Sequence, residues 1–312
     1  MARARAIAQR AGMPTSKQRP TGDFPPLPSF IQRLLPKSLR RDAVTIPVLR
    51  LHGTIMADAG QFRQSLSLEN SAAVIEKAFA FKDAPAVAIS INSPGGSPVQ
   101  SRLIYQRIRD LAVEKDKKVI VFVEDVAASG GYMIAIAGDE IVADPSSVVG
   151  SIGVVSASFG FEDLIRKIGV ERRVHTAGRN KAILDPFLPE KEEDVERLKA
   201  LQLEVHQTFI DLVKERRGAR LAPDDDLFTG LFWTGKRGLE LGLVDHLGDM
   251  RGFLKARFGD KTRLRLVTAP RGFFGRRLAL FGGSSAVGLG AGIAEGVARV
   301  VEDRSLWARY GL

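Results

Sequence analysis

Apolar residues fall along this chain in two rhythms. Short uninterrupted β-branched runs read as strands buried on both faces, and longer segments repeating every three or four positions read as helices. Ala86-Val-Ala-Ile-Ser-Ile91 and Lys118-Val-Ile-Val-Phe-Val123 are runs of the first kind. Strands are expected near 44–51, 86–91, 118–123, 140–143, 152–157 and 170–175. Helices are expected near 68–82, 98–115, 130–138 and 160–168. A long helix near 190–217 carries Val195, Leu198, Leu201, Val205, Phe209 and Leu212 at helical spacing, as a packing element. Shorter helices near 235–242 and 250–257 follow. Strands alternating with helices call for an α/β fold on a parallel sheet.

Two of the strand-to-helix turns carry candidate chemistry. The run Asp125-Val-Ala-Ala-Ser129-Gly-Gly-Tyr132 places a serine where a buried strand gives way to an apolar helix. Gly130 and Gly131 let the backbone turn sharply there and leave amides free. A capping serine on a glycine-rich connection would produce the same residues. The second turn, Asn92-Ser-Pro-Gly-Gly-Ser97, has the same form, with Pro98 suited to the first turn of its helix. In a parallel sheet both turns lie at the carboxyl ends of strands, where sites form. Gly95 and Gly96 are thereby placed to aim N–H groups toward Ser129. Acyl transfer needs such a pairing of a nucleophile with amide donors for the oxyanion.

With these two turns, further segments resemble the SppA-type signal peptide peptidases, serine proteases of the Clp protease/crotonase fold. The segments are Val48-Leu-Arg-Leu-His-Gly53, Asn92-Ser-Pro-Gly-Gly96, Ala128-Ser-Gly-Gly-Tyr132, Ala143-Asp-Pro145, Val149-Gly-Ser-Ile-Gly-Val154, Gly178-Arg-Asn-Lys181, Trp233-Thr-Gly235 and Leu241-Gly-Leu-Val-Asp245. They stand in family order over roughly residues 44 to 255. The resemblance implies a Ser–Lys dyad, with Ser129 as nucleophile, Lys181 as general base and Ser151 orienting the lysine. It implies an oxyanion hole at Gly95, Gly96 and Gly130. Separately, no His/Asp/Glu cluster has metal spacing and no Walker-type loop appears, so no cofactor or metal is expected. The resemblance also implies peptide substrates, signal-peptide remnants among them, and a ring-shaped homo-oligomer. With no internal repeat, the chain is similar to the short, single-module form.

A lysine acts as a base only when neutral, and burial is what favours that form. Ala182, Ile183, Leu184, Pro186, Phe187 and Leu188 offer apolar cover, Arg179 would act in the same direction, and Asp185 would oppose it. The rival base is a histidine of a Ser–His–Asp triad. Of His52, His175, His206 and His246, only His175 leads into the Lys181 loop. Two other readings keep the fold and change the function. One is a crotonase-type acyl-CoA enzyme, which would place carboxylates in the site. The other is a non-catalytic scaffold that binds membrane proteins.

Charge divides the 312-residue chain. Its net +10 is concentrated at the ends. Residues 1–41 hold nine Lys/Arg against Asp23 alone, and 251–312 hold twelve against four acids. The body between them is acidic. Basic ends suit nucleic acid or an anionic membrane, and no nucleic-acid motif accompanies them. The chain contains no cysteine, which excludes disulfides and thiol chemistry. Three parts are expected: a basic, largely disordered segment 1–41, a peptidase domain 42–258, and a basic, Gly-rich tail 259–312. Residues 1–28 are not expected to form a secretory signal, because the longest uncharged run before Arg10, Ala6 to Gln9, is far too short for an apolar core. Residues 29–41 are expected as a short interfacial helix, and the uncharged run 278–294 as an interfacial or oligomer-contact segment. The expected location is cytoplasmic, with peripheral contact to an anionic inner membrane.

Overall fold

Strand β1, Thr45–His52, alternates its side chains between two cores, as period-two geometry requires. Leu49 and Leu51 face one apolar cluster, and Ile46 and Val48 the other. This strand belongs to a computed structural model that describes residues 43–57, 65–268 and 304–312. The chain divides into Met1–Asp42 and Ala43–Leu312, and all described residues belong to the second unit. The interfacial segments expected at 29–41 and 278–294 lie outside the described residues.

After β1 come α1 (Leu68–Phe79), β2 (Ala86–Ser93), α2 (Pro98–Glu114), β3 (Lys118–Ala128), α3 (Gly130–Ala135), β4 (Glu140–Ala143) and β5 (Val148–Gly150). Then follow α4 (Glu162–Lys167), α5 (Glu192–Arg217), β6 (Phe232–Thr234), α6 (Gly235–Glu240), β7 (His246–Leu247), α7 (Met250–Phe258) and β8 (Arg263–Leu266). The sheet runs β6-β5-β3-β2-β1-β8, and β4 branches off β3 to pair β7. Every pairing is parallel except β5 with β6. The larger core gathers Ile75, Ile104, Tyr132, Phe209 and Leu243 over one face, and Leu254 and Phe253 of α7 close the other. This is the α/β architecture expected of the Clp/crotonase fold.

Two expected strands are not formed. At 152–157 the ladder has already ended: β5 stops at Gly150, and Ser151 has φ +53, outside strand geometry. At 170–175 the β-branched pattern is present, yet the backbone is irregular and exposed. A strand needs a neighbour for its N–H and C=O groups, and none stands beside this segment among the described residues. Conversely, β8 forms past residue 258, and its four residues extend β1 in parallel.

Behind the sheet a buried ion pair fixes the late segment to the core. Arg217, whose side chain is 1% exposed, makes two bonds to Asp245 at 2.8 and 3.0 Å, and Asp245 also accepts from the Ile141 amide. Burial alone would raise the Asp245 carboxyl, but Arg217 and that amide together hold it below its usual value. Next to it the buried Tyr132 hydroxyl donates to the Leu243 carbonyl, 2.8 Å, pinning α3 from behind.

Replacing Asp245 by Asn leaves the Arg217 charge buried and unpaired, which should cost about 3–5 kcal/mol of unfolding free energy. The pair's contribution is fully present above the ordinary carboxylate value of about 4 and is lost as pH falls through the depressed folded value. Thermal unfolding followed from pH 7 to pH 3 should show that loss in the parent protein and a flatter profile in Asp245→Asn.

Candidate active site

Strand β3 ends at Ala128 and α3 begins at Gly130, so Ser129 alone makes the turn. It does so at φ +52, ψ −122, a conformation that costs a non-glycine residue on the order of 1–3 kcal/mol. The surroundings leave it no alternative. Its N–H donates to the Gly150 carbonyl at 2.8 Å, and its carbonyl accepts from Met133 N at 3.0 Å. The Ser129 side chain makes no cap hydrogen bond, unlike Ser67 and Ser97 at the starts of α1 and α2. The capping explanation for this serine therefore fails, and its half-buried hydroxyl lines an open cavity.

The second turn lies directly against the first. A Cβ on Gly95 would stand 2.8 Å from the Ser129 Cβ, and one on Gly96 would stand 2.1 Å from the Ile55 carbonyl oxygen. Asn92 fastens the turns together: its Oδ1 accepts from Val126 N and its Nδ2 donates to Asp125. The amides differ in their engagement. Gly95 N donates to Ser93 Oγ, 3.2 Å, whereas Gly96 N and Gly130 N have no acceptor among the described residues. Gly96, Ser129 and Gly130 line one cavity of about 500 Å³, and Gly95 lies just behind it.

The cavity walls are mostly apolar: Ile55, Met56, Met133, Val154, Val155, Val205 and Phe209. Val205 and Phe209 belong to α5, so this helix is a wall of the site as well as a packing element. His206, one residue along, donates from Nε2 to the Ile152 carbonyl at 2.9 Å, which ties α5 to the segment after Ser151. A hydrophobic spacing alone does not distinguish such a wall from core.

Ser151 is buried next to β6. Its N–H donates to the Leu231 carbonyl, and its hydroxyl accepts from the Tyr310 phenol at 3.2 Å. Lys181 stands elsewhere, exposed on the arm between Gly153 and Glu192, and does not line the cavity. Asp185 is engaged on that arm by Phe187 N and Arg172, which hold its carboxyl below the ordinary value. It makes no ion pair with Lys181. His175 is exposed on the same arm and is also absent from the cavity lining. The structure thus brings together Ser129, Gly96 and Gly130, with Gly95 behind and Ser151 one ladder step away, and leaves Lys181 apart. Among the described residues no three His, Asp or Glu side chains converge as a metal site.

A family model described as Peptidase family S49 matches residues 112–257, which include Ser129, Ser151 and Lys181. A Synechocystis protein named as a candidate protease is 35% identical over 199 residues, covering 61% of this chain and 70% of that protein. The chain belongs to peptidase family S49. An Arabidopsis thaliana relative, the chloroplastic serine protease SPPA, is 31% identical over 248 residues, 78% of this chain and 36% of that protein. Higher identity is found in a Brucella abortus protein named Na(+)/H(+) antiporter NhaA: 62% over 290 residues, 92% of this chain. A match of that length necessarily includes the S49 region. It spans only 39% of the Brucella protein, so that name describes a polypeptide most of which this chain does not share. Among the described residues of this S49 member, no helix is long and apolar enough to cross a membrane.

The close approach of the turns can be tested at Gly95. Its φ of +101 and the 2.8 Å contact should make Gly95→Ala displace Ser129 and reduce hydrolysis by at least about 100-fold. Gly160→Ala, whose Cβ would meet nothing within 4 Å, should leave the melting temperature unchanged. Parallel rate and melting measurements on the two variants check both expectations.

Proposed function

We propose that this protein is a serine endopeptidase that cleaves membrane-derived or unfolded peptides, including signal-peptide remnants, through a Ser129–Lys181 dyad. One observation carries the reading. An uncapped serine, held in a strained turn, shares a cavity with two backbone amides that have no acceptor among the described residues. Ser129 Oγ attacks the peptide carbonyl and its proton passes to Lys181. The amides of Gly96 and Gly130 receive the developing oxyanion, and Gly95 supports them by allowing the turns to touch. Ser151 orients the lysine. Lys181 returns the proton to the leaving amine as the C–N bond breaks, which gives an acyl-enzyme, and the neutral lysine then activates the water that hydrolyses it. The apolar walls suit the side chains of an extended hydrophobic peptide.

The dyad requires the arm that carries Lys181 to close on Ser151. Exposed Phe159, Ile168 and Val170 on that arm are what such a closure would cover. The crotonase-type alternative loses ground to membership of family S49, and the cavity lining contains no carboxylate among the described residues.

Steady-state hydrolysis of a quenched hydrophobic peptide tests the assignment. Ser129→Ala and Lys181→Ala should each lower kcat by at least about 10³-fold, and the double variant should be no worse than either, because a dyad acts as a unit. A Lys181→Ala protein with near-parental kcat would remove the dyad and turn attention to His175.

A further inference from the structure

Helix α5 borders two cavities in turn. Val205 and Phe209 wall the one that Ser129 lines. One to two turns nearer the helix N-terminus, Lys199, Gln202 and Leu203 line a second, open cavity of about 250 Å³. The two cavities share Val154, so they meet on the segment that leads away from Ser151. His206 also lines the second cavity, and its bond to the Ile152 carbonyl fixes α5 against that segment.

The second cavity differs from the first in its chemistry. The walls around Ser129 are mostly apolar, whereas here an ammonium and a primary amide face the space. Lys199 and Gln202 make no hydrogen bond or ion pair among the described residues. The acids nearest on the helix do not neutralise Lys199. Glu193 is engaged by Arg197, and Glu196, one turn before Lys199, forms no ion pair with it. Among the described residues, neither cavity lining contains a carboxylate.

We propose that the second cavity takes a carboxylate of the substrate peptide, with Lys199 supplying the charge and Gln202 an N–H donor, and that Lys199 is thereby a specificity residue. The proposal rests on the serine-peptidase reading of Ser129. An apolar cavity supplies most of a ligand's burial, and a few polar groups at its margin select among ligands. The helix sets the register. Lys199 and Val205 are separated by about 9 Å along the axis, at 1.5 Å per residue. An extended peptide advances about 3.3 Å per residue. The carboxylate therefore belongs about three residues from the side chain that rests on Val205. Two sources supply it: an Asp or Glu side chain, or the free C-terminus of a peptide already cut from its precursor. A solvent-facing charge pair is weak, so the effect is a preference of a few fold and not a requirement.

Two sets of quenched hydrophobic peptides test the proposal. One carries Glu or Gln at successive positions on either side of the cleaved bond. The other ends, at the same range of distances, in a free or an amidated C-terminus. The carboxylate form should be favoured by about threefold to fivefold in kcat/KM, mainly through KM, and added salt should reduce the ratio. The set that responds identifies the source. Lys199→Met should bring the ratio to about one, and Lys199→Glu should invert it. A ratio near one throughout both sets would overturn the proposal. So would a preference that persists in Lys199→Met, which would assign it to Arg309 at the first cavity. Fluorescence polarisation of labelled peptides on Ser129→Ala reads the pocket without catalysis. Tighter binding of the carboxylate form there, with no hydrolysis of any peptide by the parent protein, would refute the peptidase reading and keep the pocket. Equal binding of both forms, or none, would refute the pocket.

Discussion

Two backbone turns in this protein touch where side chains would normally keep them apart, and the site depends on that contact. Gly95 packs on the Ser129 Cβ, Gly96 on the Ile55 carbonyl, and Gly131 on the Ser93 carbonyl. Any Cβ at these positions would fall at or under 2.8 Å from its neighbour. The contact is what brings the Gly96 amide into the cavity that Ser129 and Gly130 line. It also holds Ser129 in a conformation that the residue would otherwise leave. The sheet supplies the force on one side, through the β3–β5 ladder and the bond from Ser129 N to Gly150 O. The buried helix α3, anchored by Tyr132 on Leu243, supplies it on the other.

Much of this was legible in the residues because the relevant signals are local. β-branched runs bounded by small residues located β1 to β4, and paired glycines after β2 and β3 located the turns. Signals that depend on partners distant in sequence were not legible. Val170 to His175 has a strand's composition and no strand beside it, whereas Arg263–Leu266 has a weaker pattern and a free edge of β1 to join. The apolar stripe of α5 could not disclose that Val205 and Phe209 wall a cavity. Tyr310 gave no signal, since only the fold brings it to Ser151, 159 positions away.

The Lys181 arm and the 304–312 segment behave alike in one respect. Both lie outside the two larger apolar cores of the sheet. The arm exposes Phe159, Ile168 and Val170, and the segment has already found cover on β3, β5 and β6. The chain spans about two fifths of the Brucella relatives' length, so activity and substrates are proposed for this chain on its own geometry.

The central claim is that Ser129 is a nucleophile poised beside two free amides. Covalent labelling by a fluorophosphonate, with the modified residue mapped by mass spectrometry, tests it most directly. The account predicts a single adduct on Ser129, formed by the folded protein and lost on denaturation. A folded protein that takes up no label, or takes it on another serine, would contradict it.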